Sequence, residues 1–470
     1  MQRAHTFGNW TAWVAIVSCV ACTLPATYRL ADSAASDSSG LIDGDVPPGD
    51  VPGDAVSPAD ATIDAIDAPV TDIVMTDVPT RDAADATTDS ADTGVDAGPS
   101  CTGADCELVS ISAGGSTTCA VRRDGVLFCW GSNAWGQLGE DPSVMMMRAT
   151  PLASRHIRDA LEVSVGRAHV CVIRGVNRNV DCWGSSANAQ LGNGTSDGMP
   201  HPTPVRAGVL TMVLGVAAGA VHTCARTLTA VHCWGDNMFG QLGDGTRTTR
   251  TTPVEAMIVS NPGALAVGSH FTCATSTGFA RLHCWGRNDV GQLGVGDRTD
   301  RSVPTMTTLN SGVNMVAAGE RHAQARDTAG MGVGSVFGWG DNSNLRAALP
   351  AGTTASNSVV MSTVPVSVRY VAVGDATACA IDMGNVVRCW GVNDMGQAGV
   401  SPLSMAVSPT AVSVTLASSA VPAQLGLGSR HACLLANNGT MFCWGANDLG
   451  QRGAGSMTAT AVPTEVTGFR

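Results

Sequence analysis

Cys129-Trp130-Gly131, followed by Asn133-Ala134-Trp135-Gly136-Gln137-Leu138-Gly139, decides the fold, because the chain repeats the phrase. Cys-Trp-Gly or a near copy centres on Trp130, Trp183, Trp234, Trp285, Trp339, Trp390 and Trp444, at intervals of 53, 51, 51, 54, 51 and 54 residues. A period near fifty residues marks a solenoid, propeller or array. Read outward from the tryptophan, each unit opens on a short apolar strand ending in glycine, as in Val163-Ser164-Val165-Gly166 and Val371-Ala372-Val373-Gly374. A turn, a second strand, a hairpin and the Cys-Trp-Gly strand follow. The next loop uses Asn and Gly where tight turns need positive φ, and a variable stretch, often with Pro, leads to a fourth strand. Four strands in each of seven units predict an all-β, seven-bladed β-propeller of four-stranded blades. After the last copy, Val462-Pro463-Thr464-Glu465-Val466 is a segment of the kind that elsewhere precedes a first strand, and Leu108 to Gly114 supplies the continuation. The N- and C-terminal segments are therefore expected to pair within one blade and close the ring.

The cysteines follow the same period. Cys119 and Cys129, Cys171 and Cys182, Cys224 and Cys233, Cys273 and Cys284, Cys379 and Cys389, and Cys433 and Cys443 fall one pair to a repeat. The fifth repeat holds Gln324 and Gly338 at these positions, and losing both together is what a covalent pair requires. Turn-rich sequence between the partners places each disulfide across a β-hairpin. Cys101 and Cys106 bracket a short loop before the first repeat and are expected to pair as well. His169, His222, His322 and His431 share one repeat position, two residues before the first cysteine or its replacement. The fifth repeat keeps the histidine without the cysteines, so a joint metal site is excluded and a structural histidine bonded to backbone is expected. No metal and no cofactor is expected.

The chain is expected to divide into a signal peptide over 1–22, a disordered tether over 23–106 and the propeller over 107–470. Residues 11–21 form an apolar run too short to span a bilayer but suited to a signal-peptide core. Ile16-Val17-Ser18-Cys19 resembles the bacterial lipobox, which implies lipidation of Cys19, with Cys22 as the alternative; the competing reading is an ordinary cleaved signal. Between Asp32 and Ser100 stand sixteen Asp, no Glu and one basic residue, Arg81. This aromatic-free stretch cannot bury enough apolar surface to offset its ordering entropy. Its roughly 75 residues would reach about 50 Å as a flexible coil. The formal charge of −12 belongs to it, and the rest of the chain, with no Lys, is near neutral. That charge balance excludes nucleic-acid binding by a basic surface. The one adjacent basic pair, Arg122-Arg123, reads as an exposed hairpin end.

Gly-x-x-His-x-Cys-Ala followed by Gly-x-x-x-Cys-Trp-Gly-x-Asn-x-x-Gly-Gln-Leu-Gly resembles the repeat of the regulator of chromosome condensation family, over about 360 residues. The resemblance implies a seven-bladed propeller. Departures are Ser186 and Ala189 in the second repeat, Thr117, Phe271 and Thr377 in place of His, and Asn344-Leu345-Arg346 in place of Gly-Gln-Leu in the fifth. The family also implies nucleotide exchange on a small GTPase, a role that export and the lack of a basic arm disfavour. Some bacterial members are similar in being secreted and in inhibiting an enzyme with one propeller face.

No nucleophile elbow, phosphate loop, paired histidines on a helix or EF-hand loop is present, so a non-catalytic binding scaffold is expected. Its partner would be a protein or a surface polymer, with the membrane touched only through a lipid anchor, and the chain would be a monomer of the bacterial envelope or a secreted one. A secreted enzyme or enzyme inhibitor is the alternative, and a guanine-nucleotide exchange factor ranks below it. Function is expected where repeats disagree, at the turns bearing Arg167, Glu320, Arg321, Asp375 and Arg430. Glu320 and Asp375 could pair as carboxylates in adjacent blades, or be solvated turn charges. Trp135, Phe239, Met395 and Leu449 share one position that is either an aromatic binding band or blade packing. Met145-Met146-Met147 is either an adaptable contact or an inter-blade filler.

Overall fold

The structure is a computed structural model that describes residues 101 and 103–470 except 258, 277–280, 310–311, 328–333, 403–406 and 417–419. The readings of 1–22 as signal peptide, of Cys19 or Cys22 as lipidated, and of nearly all of the tether fall outside these residues.

Seven four-stranded antiparallel sheets follow one another along the chain, as blades over 108–153, 160–206, 215–255, 262–306, 313–361, 368–414 and 422–466. In the first blade these are β1 (Leu108–Gly114), β2 (Thr117–Arg122), β3 (Leu127–Ser132) and β4 (Met147–Ala153), paired in that order. The first strand of each blade lines the axis: Gly114, Gly166, Gly219, Gly268, Gly319, Gly374 and Gly428 surround one narrow central space. They are glycine for a steric reason. A Cβ on Gly166 would stand 2.4 Å from the carbonyl oxygen of Gly219, and one on Gly374 2.4 Å from that of Gly428. The first strands are then joined across blades by side chains. Ser112 Oγ accepts the Val165 N–H at 3.0 Å, Ser164 Oγ the Ala218 N–H at 2.9 Å, and Gln424 Oε1 the Ile111 N–H at 3.4 Å.

Cys-Trp-Gly acquires a physical meaning strand by strand. The cysteine faces its partner directly across the second and third strands, with Cα atoms 4.1 Å apart in all six blade disulfides, and Cys101–Cys106 closes a loop at the entry to the ring. The tryptophans are sealed between blades, at most 1% exposed. The glycine takes φ near +100° where the register to the fourth strand shifts, and at Gly131 a Cβ would lie 2.3 Å from the Ser116 carbonyl oxygen. The fourth strand is an open edge. At the residue before the pairing with the cysteine, Pro151, Pro204, Pro253, Pro304 and Pro463 leave no N–H to satisfy; Val359, in the fifth blade, donates its N–H to Thr308 Oγ1 at 2.9 Å instead.

Two expectations need correction. The ring is closed, but the chain ends share no sheet: Thr460–Val466 is the seventh blade's own fourth strand, and Leu108–Gly114 is the first blade's own first strand. Each repeat already supplies four strands, so none is left to exchange. The ends meet as neighbouring blades, and the chain terminus packs back on the first. Phe469 sets its ring edge-on to Phe128 at 5.4 Å, while its carbonyl accepts from Arg122 Nη1 at 2.6 Å. Arg122 is consequently buried and paired with Asp124 at 2.7 Å, and only Arg123 of that pair is exposed.

Gly374→Ala should lower the unfolding free energy by about 1–3 kcal/mol, the cost of overpacking. Gly384→Ala, at a hairpin with ordinary φ and only the Asp382 carboxylate nearby, should be near neutral. Urea midpoints of the two variants check this. Thiol titration of denatured, unreduced protein should find residues 101–470 silent, with fourteen thiols appearing there on reduction.

Candidate functional site

The two faces of the ring differ. One carries the hairpins between second and third strands, and the chain enters there: Arg123 N–H bonds Glu107 O at 2.8 Å, and the Arg123 guanidinium pairs with Glu107 at 2.7 Å. The other carries the turns after the axial glycines and the loops that follow Trp-Gly. All five candidate turn residues lie on this turn face. Arg167, Glu320 and Asp375 converge on a cleft of about 440 Å³ at the axial mouth, with Trp135, Leu449 and Ser429 in its walls. Arg167 of the second blade reaches across the axis to Asp375 of the sixth at 3.5 Å, and Ser429 Oγ donates to the same carboxylate at 2.6 Å.

Arg321 and Arg430 are not in the cleft. Each is drawn outward by an aspartate of the preceding blade that sequence reasoning passed over. Arg321 pairs with Asp289 at 2.6 Å, Arg287 joins the same carboxylate at 2.8 Å, and Arg430 pairs with Asp394. Burial alone would raise Asp289, but hydrogen bonds from Gln292 and Arg287 and the charges of both arginines outweigh it and hold the carboxyl below its ordinary range. Each of the two carboxylates has a guanidinium nearby, Asp375 that of Arg167 at 3.5 Å and Glu320 that of Arg346 at 3.8 Å. Trp135, Phe239, Met395 and Leu449 are half-buried, with one side on the blade and one on the turn face. Phe239 is covered by the Arg287 guanidinium at 5.1 Å and by the His270 ring. Met145 packs on the core between the first two blades, whereas Met146 and Met147 are exposed, so that loop divides between the two readings.

Below the turn face runs a clasp between blades. Trp234 Nε1 and Thr223 Oγ1 of the third blade both donate to the Gln190 carbonyl of the second, at 2.9 Å each, and Thr223 Oγ1 also contacts His169 Nε2 at 2.8 Å. The single hydroxyl proton is used on the carbonyl, so His169 Nε2–H is the donor and the tautomer is fixed. The seam that closes the ring has the same set: His431, Thr118, Trp130 and the Gln451 carbonyl. In the second, third and seventh blades the repeat histidine is thus held by a hydroxyl of the next blade. Burial keeps these imidazoles neutral, pushing His169, His222 and His322 down to about 3 and His431 to about 4.

The seam from the fifth blade to the sixth keeps the histidine and the tryptophan but makes none of these hydrogen bonds. Ala378 stands where threonine would be, and neither ring nitrogen of His322 nor Trp390 Nε1 has a partner among the described residues. The loop there is also shifted by one from the expected alignment. Leu345-Arg346-Ala347 occupy the places of Gly-Gln-Leu, because Leu345 N–H bonds Asn342 O and Ala347 N–H bonds Asn342 Oδ1, as in the other loops. Leu345 and Ala348 accordingly take φ of 59° and 50°, where most repeats have glycine. Gln324, in place of the cysteine, donates to the Arg346 carbonyl at 3.1 Å, the acceptor that tryptophan uses elsewhere. A Cβ on Gly338 would sit 2.0 Å from the Ala347 carbonyl oxygen, so the loop has moved into the space of the missing disulfide.

The family model described as the regulator of chromosome condensation (RCC1) repeat matches residues 180–226, 230–275 and 280–325, and a second model of the same repeat matches 108–137 and 423–451. The chain thus carries RCC1 repeats at these residues, within a seven-bladed β-propeller. It is 29% identical over 323 residues to the ultraviolet-B receptor UVR8 of Arabidopsis thaliana, covering 66% of this chain and 70% of that one. It is 28% identical over 374 residues to human HERC2, an E3 ubiquitin-protein ligase; that match takes in 77% of this chain but spans only 8% of the relative. Among solved structures, human WBSCR16 superposes with a TM-score of 0.64 at 20% identity, covering 73% of this chain and 94% of that one. Yeast RCC1 (Prp20), solved with Kap60, gives 0.65 at 19% identity, with 81% and 90% covered. These two likenesses concern the fold.

Ala378→Thr should stabilise the ring by about 1 kcal/mol by giving His322 its hydroxyl. Restoring cysteines with Gln324→Cys and Gly338→Cys should destabilise it, because the Ala347 carbonyl must be displaced. Denaturant midpoints distinguish the two. Below about pH 6.5 the unfolded chain takes up protons that the buried histidines refuse, so stability should fall from pH 6.5 toward the folded values near 3–4. A lower midpoint at pH 5 than at pH 7.5 is expected; equal midpoints would count against the buried neutral assignment.

Proposed function

We propose that this RCC1-repeat propeller is a non-catalytic binding scaffold of the bacterial envelope, held by its N-terminal segment, that engages a protein or surface polymer through the turn face. The observation that carries the reading is the distribution of difference. Strand order follows the repeat in every blade, whereas Arg167, Glu320, Asp375, Ser429 and Trp135 break it and still meet in one cleft. Glu107, where the chain enters the ring, lies on the opposite face. Seven disulfides suit an oxidising compartment. Among the described residues no helix is long and apolar enough to cross a membrane, and no group of His, Cys, Asp or Glu could hold a metal. Relatives with these repeats include a receptor and a ligase, which suits a scaffold put to different uses.

A photo-reactive amino acid at Ser132 on the turn face and another at Asn177 on the hairpin face test the proposal in cells. Specific adducts are expected from position 132 only. Adducts from 177 alone would move binding to the other face, and turnover of a screened substrate with no adduct would favour an enzyme. Finding the native protein reduced and cytosolic would count against export and favour the exchange-factor reading.

A further inference from the structure

The geometry points to the axial mouth as a receptor for a guanidinium group, the side chain of an exposed arginine on the partner; this rests on the turn face being the binding surface. Trp135 and Leu449 give the cleft one apolar wall, and Glu320, Asp375 and Ser429 give it polar ones. Trp135 is the one tryptophan among the described residues that is not sealed inside the ring. A flat aromatic surface beside two carboxylates suits a planar cation, which can stack on the first and donate to the second.

The molecule already seats a guanidinium there. Arg167 spans the axis to Asp375 at 3.5 Å, with side chains 49% and 34% exposed, so the pair is solvent-screened and readily exchanged. Asp375 does not depend on it for position, because the Ser429 hydroxyl holds the same carboxylate oxygen. Glu320 is still less committed. Its nearest cation, Arg346, is 3.8 Å away and is shared with Asp341 at 3.6 Å. Further out, Asp236 and Asp448 accept only from the amides of Gln241 and Gln451. Carboxylates therefore outnumber arginines around the mouth, which draws in a cation and repels an anion. A guanidinium from the partner displaces Arg167 and leaves it to swing into solvent.

The experiment uses the full chain labelled with ¹⁵N-tryptophan, with the indole signal of Trp135 assigned by its loss in Trp135→Phe and acetyl-arginine-amide as the probe. The aspartates before residue 100 attract the probe equally in every variant and lie outside this one-indole readout. A saturable shift of the Trp135 signal is expected in the wild type, with at least tenfold weaker binding in Glu320→Gln/Asp375→Asn. Arg167→Ala should bind more tightly, by up to about fivefold, since a screened pair worth under ~1 kcal/mol no longer competes. Acetyl-glutamate-amide should leave the signal in place. An unshifted indole, weaker binding by Arg167→Ala, or a shift with the anionic probe would each overturn the assignment. If photo-adducts still form from Ser132 while the indole does not respond, the binding face stands and the cation site alone falls.

Discussion

Around the axis, the turn after each first strand brings a backbone carbonyl within van der Waals contact of the preceding blade's Cα, and the rest of the structure depends on that approach. It requires a residue without a Cβ at Gly166, Gly219, Gly268, Gly319, Gly374 and Gly428, and it sets how far apart neighbouring sheets stand. With that spacing fixed, a tryptophan fills the gap between blades, and at Trp130, Trp183, Trp234, Trp339 and Trp444 the indole N–H reaches a carbonyl on the loop of the blade before. The histidine takes up the remaining space beneath the turn. At Gly428 a Cβ would come within 2.2 Å of the His431 ring, so the glycine serves two neighbours at once.

Much of this was legible in the sequence because the physical demand recurs. Seven copies of one phrase reveal which residues the scaffold cannot vary, and the cysteine pairs could be matched by their joint loss from one repeat. What eluded the reading was relation between repeats. A histidine in one repeat goes with a threonine in the next, as His169 with Thr223, His222 with Thr272 and His431 with Thr118, with His322 and Ala378 the exception. Where the histidine is missing, at Thr117, Phe271 and Thr377, the following blade has Val170, Ala323 and Ala432. That rule stands in the letters, but it is visible only when each repeat is compared with its successor rather than with an average.

The candidate site was legible only in part, for a reason of the same kind. The turns stand out in the sequence as variable, yet a list of variable turns says nothing about which of them meet. Arg167 finds Asp375 across the whole ring, whereas Arg321 and Arg430 are captured by Asp289 and Asp394 on the blade before. The fifth repeat was recognisable as an exception, but its loop was placed one residue off, since nothing in Asn344-Leu345-Arg346-Ala347 announces that leucine would accept a positive φ.

The strand nearest the axis is also the one the chain enters by. Leu108 lies at the hairpin face and Gly114 at the turn face, so β1 runs through the ring from one side to the other, paired along its length with β2. A mechanical load applied through the N-terminus and resisted at the turn face would run along that strand and strain its ladder in shear. Its hydrogen bonds would then carry the force together instead of opening one after another.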